Sequence, residues 1–343
     1  MRTDALLLDR DLNLVLGSRD IDPPLPGEVL VRVAWAGVCG SDLHVLASGA
    51  WVAYWPATLG HEVAGVVEEC PGGELRPGTA VVVDSRLPCG KCPGCGQAPS
   101  LCQNMTWLGE SRPGGFARFL VVPVTSVVAC PDGTEPAVAV LAEPLSVAMH
   151  AVSRLAAPPA GPALVLGYGP VGALVHLELV RRWPGLVVFV SEPNTERAEL
   201  ARALGARVVA PAVLAASHMA AADGEGAAHG REFGLVVDAA GYPQSLAVAS
   251  RAVVNGGTVL VVALSGQAVP VVPSELVERA ISIVGCIGFD DELPQAVGLL
   301  ASAPDRYRPL VTEAVLLEEA PRRLAEMGRR PSVGKVVVRP WRD

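Results

Sequence analysis

No apolar run in this chain is long enough to cross a bilayer, although half of its 343 residues are hydrophobic. The opening segment MRTDALLLDRDLNLVLG carries charges inside its apolar stretch and lacks a cleavage-type tail, so it does not read as a signal peptide. Basic runs are missing too. The formal charge is −8, which argues against a nucleic-acid surface. A soluble cytoplasmic protein, with no membrane partner, is the expectation. Eight cysteines are too few for a disulfide scaffold, and four of them crowd between Cys89 and Cys102, which in a cytosolic protein points to metal. Aromatic residues are scarce at 4%. The length argues against a single core, and two domains are expected.

The first third reads as β-rich. Short runs, Ala5–Leu8, Glu28–Val38, Val63–Cys70 and Thr79–Ser85, are punctuated by Pro and Gly, a pattern that predicts a compact antiparallel barrel or sandwich. Among them lies GVCGSDLHVLASGAWVAYWPATLGHEVAG, from Gly37 to Gly65. It holds Cys39, Ser41, Asp42, His44, His61 and Glu62. Zinc takes thiolate and imidazole ligands, and a catalytic zinc keeps one position open. Cys39 and His61 could supply two ligands, with a third from elsewhere. Taken alone, Cys39 also reads as a small buried residue and His61 as a turn histidine.

Cys89-Gly-Lys-Cys92-Pro-Gly-Cys95, followed by Cys102, has the spacing of a closed four-thiolate zinc cage that braces a loop. A redox Cys-X-X-Cys pair accounts for fewer of these cysteines. Cys70, Cys130 and Cys286 read as buried free thiols. Further on, the helical segment Ala137–Leu155 carries one acid, Glu143, among apolar neighbours. It is either a helix-start carboxylate or the missing zinc partner, because a lone buried carboxylate is unfavourable.

After a Pro-rich joint (Ala156–Pro162), the strand ALVL runs into Gly167-X-Gly169-X-X-Gly172 and then a helix. A second strand ends in Glu192, twenty residues past the last glycine. That context is the dinucleotide fingerprint: Gly167, Gly169, Pro170, Val171 and Gly172 let a pyrophosphate approach the helix N-terminus. Glu192 would accept hydrogen bonds from ribose hydroxyls and repel a 2′-phosphate, so NAD is preferred over NADP; Arg197 could bind that phosphate. Further strands at Ala206–Pro211, Phe233–Gly241, Gly256–Leu264 and Ile281–Gly288 predict a doubly wound sheet. Between Ala212 and Gly230 the pattern is weak, and His218 and His229 read as exposed. The tail reads helix (Glu292–Ala301), strand (Leu310–Ala314), helix (Leu317–Met327), strand (Lys335–Arg339) and should fold back on the first domain.

The series PGEVLVRV, GVCGSDLH, GHEVAG, the cysteine cluster, GGFA, EPLSVAMHAV, GYGPVG and GKVVV resembles, nearly end to end, the zinc-dependent medium-chain dehydrogenases/reductases of the sorbitol, threonine and butanediol dehydrogenase branch. The resemblance implies an α/β fold: a GroES-like β-rich catalytic domain (1–150 and 289–343) and a doubly wound Rossmann domain (151–288). It implies Cys39, His61 and Glu143 as catalytic-zinc ligands, with Glu62 the adjacent acid that can approach the metal. Cys89, Cys92, Cys95 and Cys102 would hold structural zinc. Ser41 would hydrogen-bond the substrate oxygen, His44 would pass its proton to solvent, and Asp42 would orient the histidine ligand. Zinc as Lewis acid and nicotinamide as hydride acceptor would then interconvert a secondary alcohol and a ketone.

Two departures stand out. Six residues separate Cys95 from Cys102 where the family usually has seven, and GTAVVV (Gly78–Val83) replaces the common GDRV. Trp51, Tyr54, Trp55 and Trp107 fall where the family lines its substrate cleft; they suit stacking on a polyol, sugar or cyclitol, or equally core packing. The aminocyclitol dehydrogenases of natural-product pathways share this branch. Two other readings stay open: an NADPH-linked ketone reductase of a biosynthetic pathway, and a non-catalytic NAD-binding relative. The family associates through Rossmann edge strands, so a homodimer or homotetramer is expected, with Val259–Leu264 as the candidate edge.

Overall fold

The computed structural model describes residues 1–214, 232–269 and 271–342, so His218 and His229 lie outside the described residues. Two compact units emerge: Met1–Ser146 with Phe289–Asp343, and Val147–Gly288. Among the described residues no helix is long and apolar enough to cross a membrane.

In the first unit, β1 (Arg2–Leu8) and β2 (Leu14–Asp20) form an antiparallel hairpin. A seven-stranded sheet carries the rest: β3 (Glu28–Gly37), β4 (Glu62–Glu69), β5 (Ala80–Val83), β8 (Phe119–Pro123), β9 (Val127–Ala129), β16 (Val311–Leu316) and β17 (Lys335–Arg339). Their order is β16-β17-β3-β4-β5-β9, with β8 also paired to β3. Between them, β6 (Arg86–Leu87) pairs with β7 (Thr106–Trp107). The valines that mark these strands in sequence form the core: Val29, Val31, Val33, Val63, Val81, Val336 and Val338 are buried together. Burying each such side chain contributes on the order of 1.5–3 kcal/mol.

One register matters for the site. Gly37, the last residue of β3, pairs with Glu62, the first of β4. Cys39 therefore follows one strand and His61 precedes its neighbour, at the same end of the sheet. Val337 of β17 pairs with Gly37, so the C-terminal strand brings Lys335 to that end as well. The tail folds back as expected, through Leu293–Ser302, β16, Ala320–Met327 and β17.

The second unit is a six-stranded parallel sheet: β10 (Ala163–Leu166), β11 (Val188–Ser191), β12 (Arg207–Val208), β13 (Phe233–Asp238), β14 (Val253–Val261) and β15 (Ser282–Gly285). The order β12-β11-β10-β13-β14-β15 is that of the doubly wound dinucleotide fold, with its switch point at β10 and β13. Val259–Leu264 is not the edge expected for it. Its strand β14 is held on both sides, by β13 and β15, so β15 is the edge. Cys70, Cys130 and Cys286 are only half-buried, since each sits near the end of an element rather than inside the core.

Candidate metal and dinucleotide sites

Cys39 ends the extended segment after β3 and starts the helix Gly40–Ser48. Its backbone N–H donates to Asp42 Oδ2 at 2.8 Å, which closes the first turn. The other oxygen, Oδ1, accepts from the Gly60 N–H at 3.2 Å and lies 3.7 Å from His61 Nδ1. A single buried carboxylate thus orients both the Cys39 turn and the His61 ring, leaving the other imidazole nitrogen for a ligand. Across the sheet, Glu62 is 1% exposed; its Oε1 accepts from Lys335 Nζ at 2.5 Å, while its Oε2 has no hydrogen-bond partner among the described residues. A Cβ on Gly37 would lie 2.0 Å from that free oxygen, so the space it occupies exists because residue 37 is glycine.

Ligand atoms of Cys39, His61 and Glu62 lie within 4.8 Å of one another. A thiolate, an imidazole and an orphaned buried carboxylate oxygen fit a zinc ion. Glu143 starts the helix Ala142–Ser153, is buried, and stands outside that 4.8 Å group, yet its charge is felt by His61, Glu62 and Lys335. Burial above all pushes its carboxyl up to about 7, with His61 pulling down and Glu62 pushing further up. Burial works against a charged His61, but Asp42, Cys39 and Glu143 outweigh it and hold the imidazole well above its ordinary range. So negative a pocket recruits a cation. Lys335 supplies part of one: buried against Glu62 and also donating to Val38 O at 3.1 Å, its pKa is raised because Glu62 and Cys39 overcome desolvation. It is one of only two lysines in the chain, a signal that sequence reasoning passed over.

Ser41 and His44 sit three residues apart on the helix Gly40–Ser48, hence on one face; Ser41 is half-buried and His44 exposed. The His44 ring lies 4.7 Å from that of Trp51, which is half exposed with a left-handed φ of 66°. Tyr54 and Trp55 instead pack on the core of the unit, and the Tyr54 hydroxyl is engaged by the backbone of Thr58. Trp107 is half-buried in β7.

The four cysteines converge. Cys92 Sγ lies 3.6 Å from that of Cys95 and 3.9 Å from that of Cys102, Cys89 Sγ lies 3.9 Å from that of Cys95, and all four fall within 4.8 Å. The short Cys95–Cys102 spacing closes because Gly94 backs onto Leu101, whose carbonyl oxygen would lie 1.8 Å from a Cβ there. Backbone N–H groups of Cys95 and Gln103 lower the Cys92 thiol to about 6, which prepares a thiolate for metal. This cage also fits zinc.

In the second unit, Gly167 has a φ of 85°, and a Cβ on Gly172 would lie 2.3 Å from the Gly167 carbonyl oxygen. Gly169 caps the helix Pro170–Arg182, whose first turn, with Pro170 at its first position and then Val171, holds no acid, so its N–H groups remain open to an anion. Glu192, just past β11, accepts from the Tyr168 N–H at 2.7 Å and the Asn194 N–H at 2.9 Å. Arg197 Nη1 lies 3.9 Å from Glu192 Oε2 and 3.8 Å from where a Gly169 Cβ would stand. The glycine turn, the acid and the guanidinium form one cluster that fits a dinucleotide.

Residues 25–132 match the alcohol dehydrogenase GroES-like domain, and residues 174–302 match the zinc-binding dehydrogenase domain. The chain is 32% identical to L-threonine 3-dehydrogenase of Pyrococcus horikoshii over 93% of its own length and 92% of the relative's. It is 31% identical to D-altritol 5-dehydrogenase of Agrobacterium fabrum, over 86% and 87%. Among solved structures, a zinc-binding dehydrogenase of Sinorhizobium meliloti bound to NADP superposes with a TM-score of 0.86 at 28% identity, over 99% of this chain and 100% of that one.

Proposed function

The chain belongs to the zinc-binding alcohol dehydrogenase family and is an NAD(P)-linked oxidoreductase of CH–OH groups, and from that premise we propose a polyol, sugar or cyclitol as its substrate. When bound, zinc supplies a Lewis acid and the nicotinamide a hydride acceptor. Cys39 and His61 hold the metal, Glu143 completes the set, and Glu62 stands by with its free oxygen. Asp42 fixes the imidazole, Ser41 accepts the substrate proton, and His44, exposed one turn on, passes it to water. The unpartnered Glu62 Oε2 beside Cys39 and His61 is the observation that carries this reading. The altritol and galactonate dehydrogenases among its relatives support the substrate class.

Glu192 makes NAD the preferred cofactor, since its charge repels a 2′-phosphate. Cys89, Cys92, Cys95 and Cys102 brace their loop with a second zinc, which goes with a reducing, cytoplasmic setting. The outer edge of β15, which pairs with no further strand among the described residues and has exposed Ile287 beside it, joins a second copy into a homodimer or homotetramer. Turnover of a panel of polyols and cyclitols by the zinc-loaded enzyme, with NAD and with NADP, tests the reading. Oxidation of a secondary polyol with NAD supports it; activity confined to primary alcohols contradicts it.

A further inference from the structure

Tyr168 stands between the first two glycines of the dinucleotide turn and has no part in the chemistry above. It is fully buried, and its hydroxyl lies 2.8 Å from Nδ1 of His176, which is 1% exposed in the helix Pro170–Arg182. The two rings are 5.9 Å apart and tilted by 48°. Burial pushes the phenol pKa up, so the hydroxyl keeps its proton and can donate to a neutral imidazole. A buried phenol without a partner is unfavourable, and His176 supplies that partner. A phenylalanine would fill nearly the same space, so what the tyrosine adds is an anchor point.

The backbone of the same residue holds a different group. Its N–H donates to Glu192 Oε2 at 2.7 Å, while Glu192 Oε1 accepts from the Asn194 N–H at 2.9 Å. Beside it, the Gly167 N–H donates to the Ser191 carbonyl at 2.9 Å. Glu192 is 7% exposed, and each of its oxygens is aimed by one backbone donor. Hydrogen bonds to a carboxylate are short and directional, so a shift of the Tyr168 N–H turns the carboxylate with it. The phenol has only two side-chain torsions, so tying its hydroxyl to His176 restrains the backbone that carries this N–H. His176, Tyr168 and Glu192 thus form a continuous chain of contacts inside the second unit, from the helix to the acid.

We propose that Tyr168 is a positioning residue for the cofactor: its hydroxyl, anchored on His176, holds the turn so that its N–H aims Glu192 at the adenosine ribose. This rests on the ribose role given to Glu192. The consequence falls on cofactor affinity and selectivity, and not on turnover at saturating NAD.

Calorimetric Kd values for NAD and NADP, on protein whose thermal midpoint shows it folded, test this. Tyr168→Phe should raise the NAD Kd by roughly threefold to tenfold, the range of one hydrogen bond, and raise the NADP Kd less, with kcat at saturating NAD unchanged. His176→Leu should repeat that loss, and His176→Asn, which keeps an amide near the position of Nδ1, should restore part of the affinity. In a Glu192→Ala background, Tyr168→Phe should weaken NAD little further, because the pathway to the ribose is already gone. An unchanged NAD Kd in Tyr168→Phe overturns the proposal. So does an equal loss in both backgrounds, which would make Tyr168 a packing residue of the turn. If Glu192→Ala leaves the NAD Kd unchanged, the ribose role itself fails and the proposal falls with it; a Glu192→Ala loss without a Tyr168→Phe loss removes Tyr168 alone. Should Tyr168→Phe not fold, the two His176 variants carry the same comparison.

Discussion

Three neighbouring residues explain the form of the candidate metal site. Gly37 leaves the space, Glu62 fills it with a free oxygen, and Lys335 holds the other oxygen at 2.5 Å. Gly37→Ala should therefore push Glu62 aside and lower zinc affinity, read as faster metal loss to a chelator; an unchanged rate would free Glu62 from that role. Lys335→Met should destabilise the protein by about 3–5 kcal/mol, because it leaves a buried carboxylate unpaired, and Glu62→Gln in the same background should recover part of that. Chemical denaturation of the four variants measures the coupling. Protons compete with the metal as well. His61 is held well above its ordinary range and Glu143 up to about 7, so both bind protons in the metal-free pocket as the pH falls. Zinc affinity at this site should weaken from pH 8 to pH 6, in chelator competition, and a flat profile would contradict the assignment of these ligands.

Elements differ in how openly they announce themselves. The valine-rich β4, the wholly apolar β10 and the glycine turn before the helix Pro170–Arg182 are legible because local composition and backbone demand coincide there. β2 is not: Leu14–Asp20 mixes apolar, Gly and charged residues because it pairs only with β1 and leaves much of its surface to water. Edge and centre are not legible either, since β14 reads as an edge and is held from both sides. Cys39, His61 and the four-cysteine lobe stand out by residue type and spacing. Lys335 does not, because its importance comes from a partner 273 positions away. At the dinucleotide turn, Glu192 gathers two backbone N–H groups with Arg197 beside it. Glu192→Ala should weaken NAD binding and narrow the NAD/NADP gap in kcat/KM; an unchanged preference would remove that acid from cofactor selection.

At the level of the whole molecule, the chain leaves its first unit after Ser146, builds the parallel sheet, and returns at Phe289 to complete the seven-stranded sheet with β16 and β17. The last strand is thus part of the catalytic unit through Lys335. The exposed edge of β15 is expected to be covered by a second copy, and light scattering should give a dimer or tetramer mass; a monomer would refute that association. The central claim is that one chain holds two zinc ions with different duties. Zinc per chain, measured by elemental analysis on wild type, Cys39→Ala and Cys92→Ala, tests it most directly. Two zincs in the wild type and one in each variant, with turnover lost in Cys39→Ala, is the predicted result. A single zinc that survives Cys39→Ala and disappears in Cys92→Ala would mean a braced scaffold with no metal at Cys39 and His61, and would contradict the account.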